Sequence, residues 1–269
     1  MGDAITGQDV APIVGDARTI SLFVPCLTDT FFPRVGEAAV RVLRWLGCRI
    51  RFAADQTCCG QPAFNSGFRA EAITLARRMI DVFDGEEPIV TPSASCATMV
   101  KHRFPELLCD SPGERAAAER LAARVHEFTS FITDVLGVEI GELLASRASA
   151  DSVPLTTFHF PCHARELHAA DAMAEMLARG LGERFRASRR ATLCCGFGGL
   201  FGVEFADVSN AMMGDKLQDL LDSGAETVIS NEAGCTLHLA GGARRRNLPL
   251  RFKHVAECLA EALGLMEPM

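Results

Sequence analysis

The sequence predicts an α/β chain made of two pseudo-repeated halves, each a parallel sheet flanked by helices. Three observations lead there. Short apolar runs of strand length alternate with segments whose apolar residues recur at helical spacing. Such alternation selects parallel sheets, because the helix joining two parallel strands packs back on the sheet face. A cysteine pattern also occurs twice: Cys26, after Pro25, stands 32 positions before Cys58-Cys59-Gly60, and Cys162, after Pro161, stands 32 before Cys194-Cys195-Gly196. With the first cysteines aligned, composition alone would match the second pair only about 1 time in 600. Finally, 269 residues at 48% apolar and 23% charged suffice for one large folded domain or two smaller ones.

Residues 20–24 are a short apolar run, a strand that ends at Pro25-Cys26. Val35, Ala39, Val42, Leu43 and Leu46 keep a helical period, which Gly47 stops. Residues 48–52 alternate as a strand closed by Thr57-Cys58-Cys59-Gly60. Ile73, Ala76, Ile80 and Phe83 mark an amphipathic helix, and residues 88–91 a brief strand before Ser93-Ala94-Ser95-Cys96. Residues 104–152 read as mostly helical, with helices at 114–125 and 130–136 and a small, polar loop at 146–152. In the second half a strand at 155–160 leads into Cys162 and a helix covers about 164–178. A weak strand at 184–187 precedes Cys194, and Phe205, Val208, Met212, Leu217 and Leu221 mark a helix. A strand at 227–230 precedes Cys235, and a strand at 250–253 and a helix at 255–263 end the plan. Both halves are Rossmann-like in this sense. The expected division is a flexible tail over 1–18, a first cysteine-rich repeat over 19–110, a helical joining region over 111–153 and a second repeat over 154–269.

Composition narrows the function. The net charge is −7 and no long basic run occurs, which argues against nucleic acid or an anionic membrane as partner. No apolar run reaches the roughly 18 residues of a membrane span. Residues 1–18 lack the basic start and apolar stretch of a signal peptide, so a cytoplasmic location is expected. In that reducing compartment the eleven cysteines read as ligands or redox groups, not crosslinks.

Every repeated cysteine follows directly on an expected strand, and open parallel sheets bind ligands outside their strand carboxyl ends. Neighbouring strands lie about 4.8 Å apart. Cys26, Cys58, Cys59 and Cys96 are therefore expected to reach one object, and Cys162, Cys194, Cys195 and Cys235 another. Clustered thiolates repel unless a bound cation neutralises them. Four thiolates suit an iron–sulfur cluster or a zinc ion, and the spacing does not decide between them. Cys48, Cys109 and Cys258 have no repeat partner and read as packing. His163, His238 and His254 are candidate ligands, proton carriers or hydrogen-bonding neighbours, His163 foremost, although a structural role is the commoner one for each. Cys195-Gly196-Phe197-Gly198-Gly199 fits no phosphate loop and reads as backbone passing close to a bound group. Arg244-Arg245-Arg246 reads as a solvated loop or a docking strip for an acidic electron-transfer partner.

At these residues the chain resembles the CCG-type cysteine-rich domain family, which includes the cysteine-rich component of heterodisulfide reductase. The likeness rests on Phe23-Val24-Pro25-Cys26, Cys58-Cys59-Gly60-Gln61-Pro62-Ala63, Ser93-Ala94-Ser95-Cys96, Phe160-Pro161-Cys162-His163, Cys194-Cys195-Gly196-Phe197-Gly198-Gly199 and Glu232-Ala233-Gly234-Cys235. It is greatest to the stand-alone lactate-utilization type. The resemblance implies iron–sulfur clusters, up to two and of the four-iron (4Fe-4S) kind, on the eight repeated cysteines. It implies a role as an oxidoreductase subunit moving electrons in oxidation of a small organic acid, L-lactate to pyruvate. The partners it implies are a ferredoxin-like iron–sulfur protein and a further subunit of a lactate-oxidising complex. The heterodisulfide reductase members use five cysteines per cluster and cleave a disulfide. Here Ser93 and Glu232 replace the first cysteine of each terminal Cys-x-x-Cys, leaving four per half. That departure leaves open a four-iron cluster, a mixed-ligand site with the Glu232 carboxylate in the second half, or zinc at one site. Thiol–disulfide chemistry and a non-redox structural zinc protein are the alternative functions.

Overall fold

The computed structural model describes residues 18–145, 154–167 and 169–268. Strands β1 (Thr19–Leu22), β2 (Arg49–Phe52), β3 (Ile89–Thr91) and β4 (Val125–Glu127) form one sheet in the order β2-β1-β3-β4. Strands β5 (Thr156–Phe158), β6 (Thr227–Ser230) and β7 (Arg251–His254) form a second, in the order β5-β6-β7. Every pairing is parallel, so the fold is α/β with two parallel sheets flanked by helices. Register brings the carboxyl ends to common edges: Leu22 lies opposite Phe52, Thr91 opposite Glu127, and Ser230 opposite His254.

Burial explains the strands. Ile20 and Leu22 of β1 and all of β3, β5 and β6 are buried, as expected for strands covered on both faces. The edge strand β2 is largely exposed and carries Arg49 and Arg51. One core spans both halves: Ile20, Leu22 and Phe128 from the first share it with Phe158, Ile229 and Leu259 from the second. Helix Pro33–Trp45, which follows β1, packs on helix Val255–Ala262 near the end of the chain. Helices Ile140–Ala145 and Ala169–Leu181 cross at Gly141 and Gly180, where a Cβ on Gly180 would lie 2.6 Å from the Gly141 carbonyl oxygen.

Several local expectations differ from what is observed. Val125, expected to end a helix, opens β4, because Val125 and Glu127 are buried beside β3 while helix Pro112–Arg124 stops before them. Residues 184–187 form no strand. Phe185 makes a single bridge to Thr156, since Arg184, Arg186 and Ser188 offer no apolar face to bury. The helix expected over 164–178 is two, Cys162–Glu166 and Ala169–Leu181. The helix expected at 130–136 is a short α turn, Phe128–Ser130, running into a π turn, Phe131–Val135. The 146–152 loop and the tail, apart from Arg18, lie outside the described residues. Among those described, no helix is long and apolar enough to cross a membrane.

Candidate metal centres

Each cysteine is positioned by the end of a strand. Beyond β1, the Phe23 amide still donates to the Val90 carbonyl at 2.9 Å, and the Val24 amide to Gln56 Oε1 at 2.8 Å. Pro25, extended and without an amide hydrogen, then lets Cys26 open helix Cys26–Phe31. Pro161 does the same before helix Cys162–Glu166. Gln56 also donates to the Ala53 carbonyl at 2.9 Å, so one side chain ties the loop before Cys58 to the end of β1. In the second half a buried ion pair holds the equivalent loop. Lys216 Nζ lies 3.0 Å from Asp219 Oδ2 and donates to the Ala191 carbonyl at 3.3 Å, while Asp219 accepts from the Arg190 amide at 2.8 Å and from Ser188.

The Cys-Cys-Gly turns need their glycines. Gly60 has φ 82° and Gly196 φ 85°, in the left-handed region that other residues rarely adopt. Their amides point back at sulfur, Gly60 N donating to Cys58 Sγ and Gly196 N to Cys194 Sγ, each at 3.4 Å. Phe197 N adds a donor to Cys195 Sγ at 3.5 Å.

The structure brings the four sulfurs of each half together as a row. Cys26 Sγ lies 3.6 Å from Cys58 Sγ, and Cys59 Sγ lies 3.2 Å from Cys96 Sγ. In the second half Cys195 Sγ lies 3.1 Å from Cys235 Sγ, with Cys162 and Cys194 following in the same order of burial. Each row runs inward from exposed Cys26 or Cys162 to buried Cys59 and Cys96 or Cys195 and Cys235. Among the described residues, no three sulfurs of either half lie within 4.8 Å of one another. The second thiol of each row is the one poised to ionise. Hydrogen bonds from the Cys26 and Cys59 thiols hold Cys58 down at about 3, and those from Cys162 and Cys195 hold Cys194 at about 2. The donors Cys26, Cys59, Cys162 and Cys195 are pushed up by those bonds and by burial.

Glu232 does not offer its carboxylate to the second row. Its Oε2 accepts from the Ser95 amide at 2.7 Å and from Ser93 Oγ at 3.2 Å, and its Oε1 from the Gly234 amide at 3.2 Å. The two residues standing in for cysteine thus meet across the halves, where the carboxylate caps the starts of helices Ala94–Thr98 and Ala233–Arg245.

His163 Nδ1 stands 3.6 Å from Cys162 Sγ, and its Nε2 stands 3.3 Å from the Gln61 amide nitrogen of the first half. That side-chain nitrogen can only donate, so Nε2 accepts and the ring proton sits on Nδ1, facing sulfur. His238 supports the glycine turn through Ser209, whose hydroxyl donates to the Gly196 carbonyl at 2.8 Å. His254 caps helix Val255–Ala262, its Nδ1 accepting from the Ala256 amide at 3.1 Å, and burial holds it down at about 4. Cys48 is buried in the shared core and Cys258 packs against it, but Cys109 is exposed and is not packing. Arg244 and Arg245 form the last turn of a helix, not a loop, where their charge complements the helix dipole.

One residue was not singled out from the sequence. His159 follows β5, is 1% exposed, and has a ring nitrogen within 4.8 Å of both Cys195 Sγ and Cys235 Sγ. Neither ring nitrogen has a hydrogen-bond partner. Burial holds the ring down at about 3, hence neutral. Superposing the halves on Cys26 and Cys162 pairs His159 with Phe23, a polar-for-apolar exchange that marks it.

The family model for the CCG cysteine-rich domain matches residues 20–101 and 156–240. Lactate utilization protein A of Exiguobacterium sp. is 39% identical over 248 residues, spanning 91% of this chain and 98% of that protein. The proteins of the same name from Geobacillus kaustophilus and Bacillus licheniformis are 40% and 38% identical, each over 89% of this chain and 98% of their own length. Matched in both halves, and over nearly the whole of these relatives, the chain belongs to the CCG cysteine-rich domain family.

Proposed function

We propose that the chain is an iron–sulfur electron-transfer subunit acting in the cytoplasm in the oxidation of L-lactate to pyruvate. Cys26, Cys58, Cys59 and Cys96 would hold one cluster of the four-iron kind, and Cys162, Cys194, Cys195 and Cys235 the other. Lactate as substrate rests on the relatives' name, lactate utilization protein A, and pyruvate as product on the family resemblance. The doubled set of four cysteines, on the spacing of the matched cysteine-rich domain, carries the choice of group. A single zinc ion holds its four sulfurs about 3.8 Å from one another, given Zn–S bonds of about 2.3 Å. Sulfur pairs 3.1, 3.2 and 3.6 Å apart lie near that spacing, so metal analysis, not these distances, separates zinc from a cluster. Such a cluster supplies one-electron oxidation and reduction when bound.

The chain's own residues supply the surroundings. The Gly60, Gly196 and Phe197 amides donate to ligand sulfurs, which stabilises the reduced, more negative state. Buried Cys59, Cys96, Cys195 and Cys235 exclude water on the inner side, while Cys26 and Cys162 face outward, where a partner can approach. The partners in this reading are a ferredoxin-like iron–sulfur protein and a further subunit. Exposed Val203, Phe205 and Val208, just past the second Cys-Cys-Gly turn, support a protein surface there. One observation favours a second reading, zinc in the second half: His159, Cys195 and Cys235 do form a compact trio.

The test is anaerobic purification with iron, sulfide and zinc analysis and electron paramagnetic resonance. The protein should be brown, and the double variant C58S/C59S should lose about half the iron, one of two clusters. Colourless protein with stoichiometric zinc, or unchanged iron in the double variant, would overturn the assignment.

A further inference from the structure

We propose that His159 is a direct nitrogen ligand of the second metal centre, so that the two halves of the molecule carry chemically unequal sites. The inference rests on the preceding reading only in that the second row of cysteines holds a metal.

A buried imidazole ordinarily finds a partner for each nitrogen, and leaving one unpaired costs about 1–3 kcal/mol. His159 leaves both nitrogens unpaired at 1% exposure. Its backbone is held in place, because the amide donates to the Ile229 carbonyl at 2.9 Å as β5 ends beside β6. A ring nitrogen lies within 4.8 Å of Cys195 Sγ and Cys235 Sγ, the innermost thiols of their row, which are themselves 3.1 Å apart. Two soft sulfurs and a neutral imidazole around one point are a donor set that zinc and iron both accept.

The first half provides the contrast. There Phe23 takes the equivalent place, fully buried and packed edge-on against Phe83 with ring centroids 5.8 Å apart. It offers no donor, so the first centre is all-thiolate. His163 does not fill the same role, since its Nε2 accepts from Gln61 and its Nδ1 carries the proton towards Cys162. An imidazole is neutral where a thiolate is negative. With one terminal place per iron, His159 takes that of one thiolate of the second row, and this raises the reduction potential of the second centre above that of the first, the direction seen when histidine replaces cysteine in two-iron clusters. Electrons entering the molecule would collect on the second half.

Pulsed electron paramagnetic resonance of the reduced, iron-loaded protein reads the bond directly. The wild type should show strong hyperfine coupling to one nitrogen-14. Growth with nitrogen-15 histidine should convert it to nitrogen-15 coupling. H159F, which copies the first half, and the smaller H159N should both lose the coupling while keeping their iron. Their higher-potential redox step should move down, and H163N should retain the coupling. Coupling unchanged in iron-replete H159F and H159N, or none in iron-replete wild type, would overturn the ligand assignment and leave the iron–sulfur reading intact. If the wild type binds zinc and no iron, the iron–sulfur reading fails by itself. His159 is then read at the zinc absorption edge, where imidazole scattering lost in H159F supports the bond and scattering absent from wild type overturns it. Protein that binds neither metal after reconstitution would overturn both.

Discussion

The two glycines that follow the adjacent cysteines sit under different constraints. Both have positive φ, but a Cβ on Gly60 would come no nearer than 3.3 Å, to Leu75 Cβ, with the Ala72 carbonyl oxygen at 3.5 Å, whereas a Cβ on Gly196 would lie 2.6 Å from the Ser209 carbonyl oxygen. A 3.3 Å contact is relieved by a shift of a few tenths of an ångström, while the 2.6 Å approach at Gly196 requires the helix to move. G196A should therefore cost more than G60A. About 1 kcal/mol of left-handed strain is common to both, and the clash adds about 1–3 kcal/mol to G196A. Urea unfolding of both variants checks the order, and equal losses would show that backbone strain alone matters. The polar inserts at Ser93 and Glu232 carry a related lesson. Three positions before Cys96 and Cys235, this chain puts a hydroxyl and a carboxylate that satisfy each other and the nearby helix amides. Those positions join the halves instead of facing the cysteine rows.

At the scale of elements, a strand ends and its last residue caps the next helix. Glu127 closes β4 and accepts from the Thr129 amide at 2.8 Å and the Ser130 amide at 3.2 Å, and His254 closes β7 and caps the helix that follows. Burial raises the Glu127 carboxyl from its ordinary 4.5 to about 7. Between those two values the folded chain binds more protons at this site than the unfolded chain. Stability from this group is thus fully present below about 4.5 and is lost as pH rises to about 7. E127Q keeps a cap acceptor and removes the titration. Its unfolding free energy relative to wild type should rise by roughly 3 kcal/mol from pH 4.5 to 7.5, and a flat difference across urea melts would refute the shift. His254 has the opposite sign, its lowered value giving stability that grows as pH rises from about 4 towards 6.5. Much of this element plan is legible in the sequence. β1, β3, β5 and β6 are apolar enough to stand out, and the helices between them keep their spacing because one face of each is buried. β4 does not stand out, since Val-His-Glu has no alternating pattern and becomes a strand only by pairing with β3. The sulfur rows are foreshadowed by a repeated spacing within each half. His159 and the contact of Glu232 with Ser95, separated by 137 positions, depend on elements that meet only in the folded molecule.

At the scale of the whole molecule, duplication has not produced two independent lobes. Phe158 of the second sheet is fully buried in the same core as Ile20 and Leu22 of the first and Phe128 of the turn after it, and helix Pro33–Trp45 packs on helix Val255–Ala262. Smaller apolar clusters lie on either side, one under Cys59 and Cys96 and one under Cys195 and Cys235. The rows of thiols are therefore carried on a common base. Trp45, the single tryptophan, belongs to the first half and packs against this shared core, so its fluorescence reports on that half. F158A removes a ring from the second half and should destabilise the chain by about 3–5 kcal/mol. If the core is one cooperative unit, the Trp45 transition in urea should move to lower denaturant by the full amount, coincident with loss of far-ultraviolet circular dichroism. A Trp45 transition that stays put while half the helical signal melts early would mean that the two sheets unfold separately, each with its own row of cysteines.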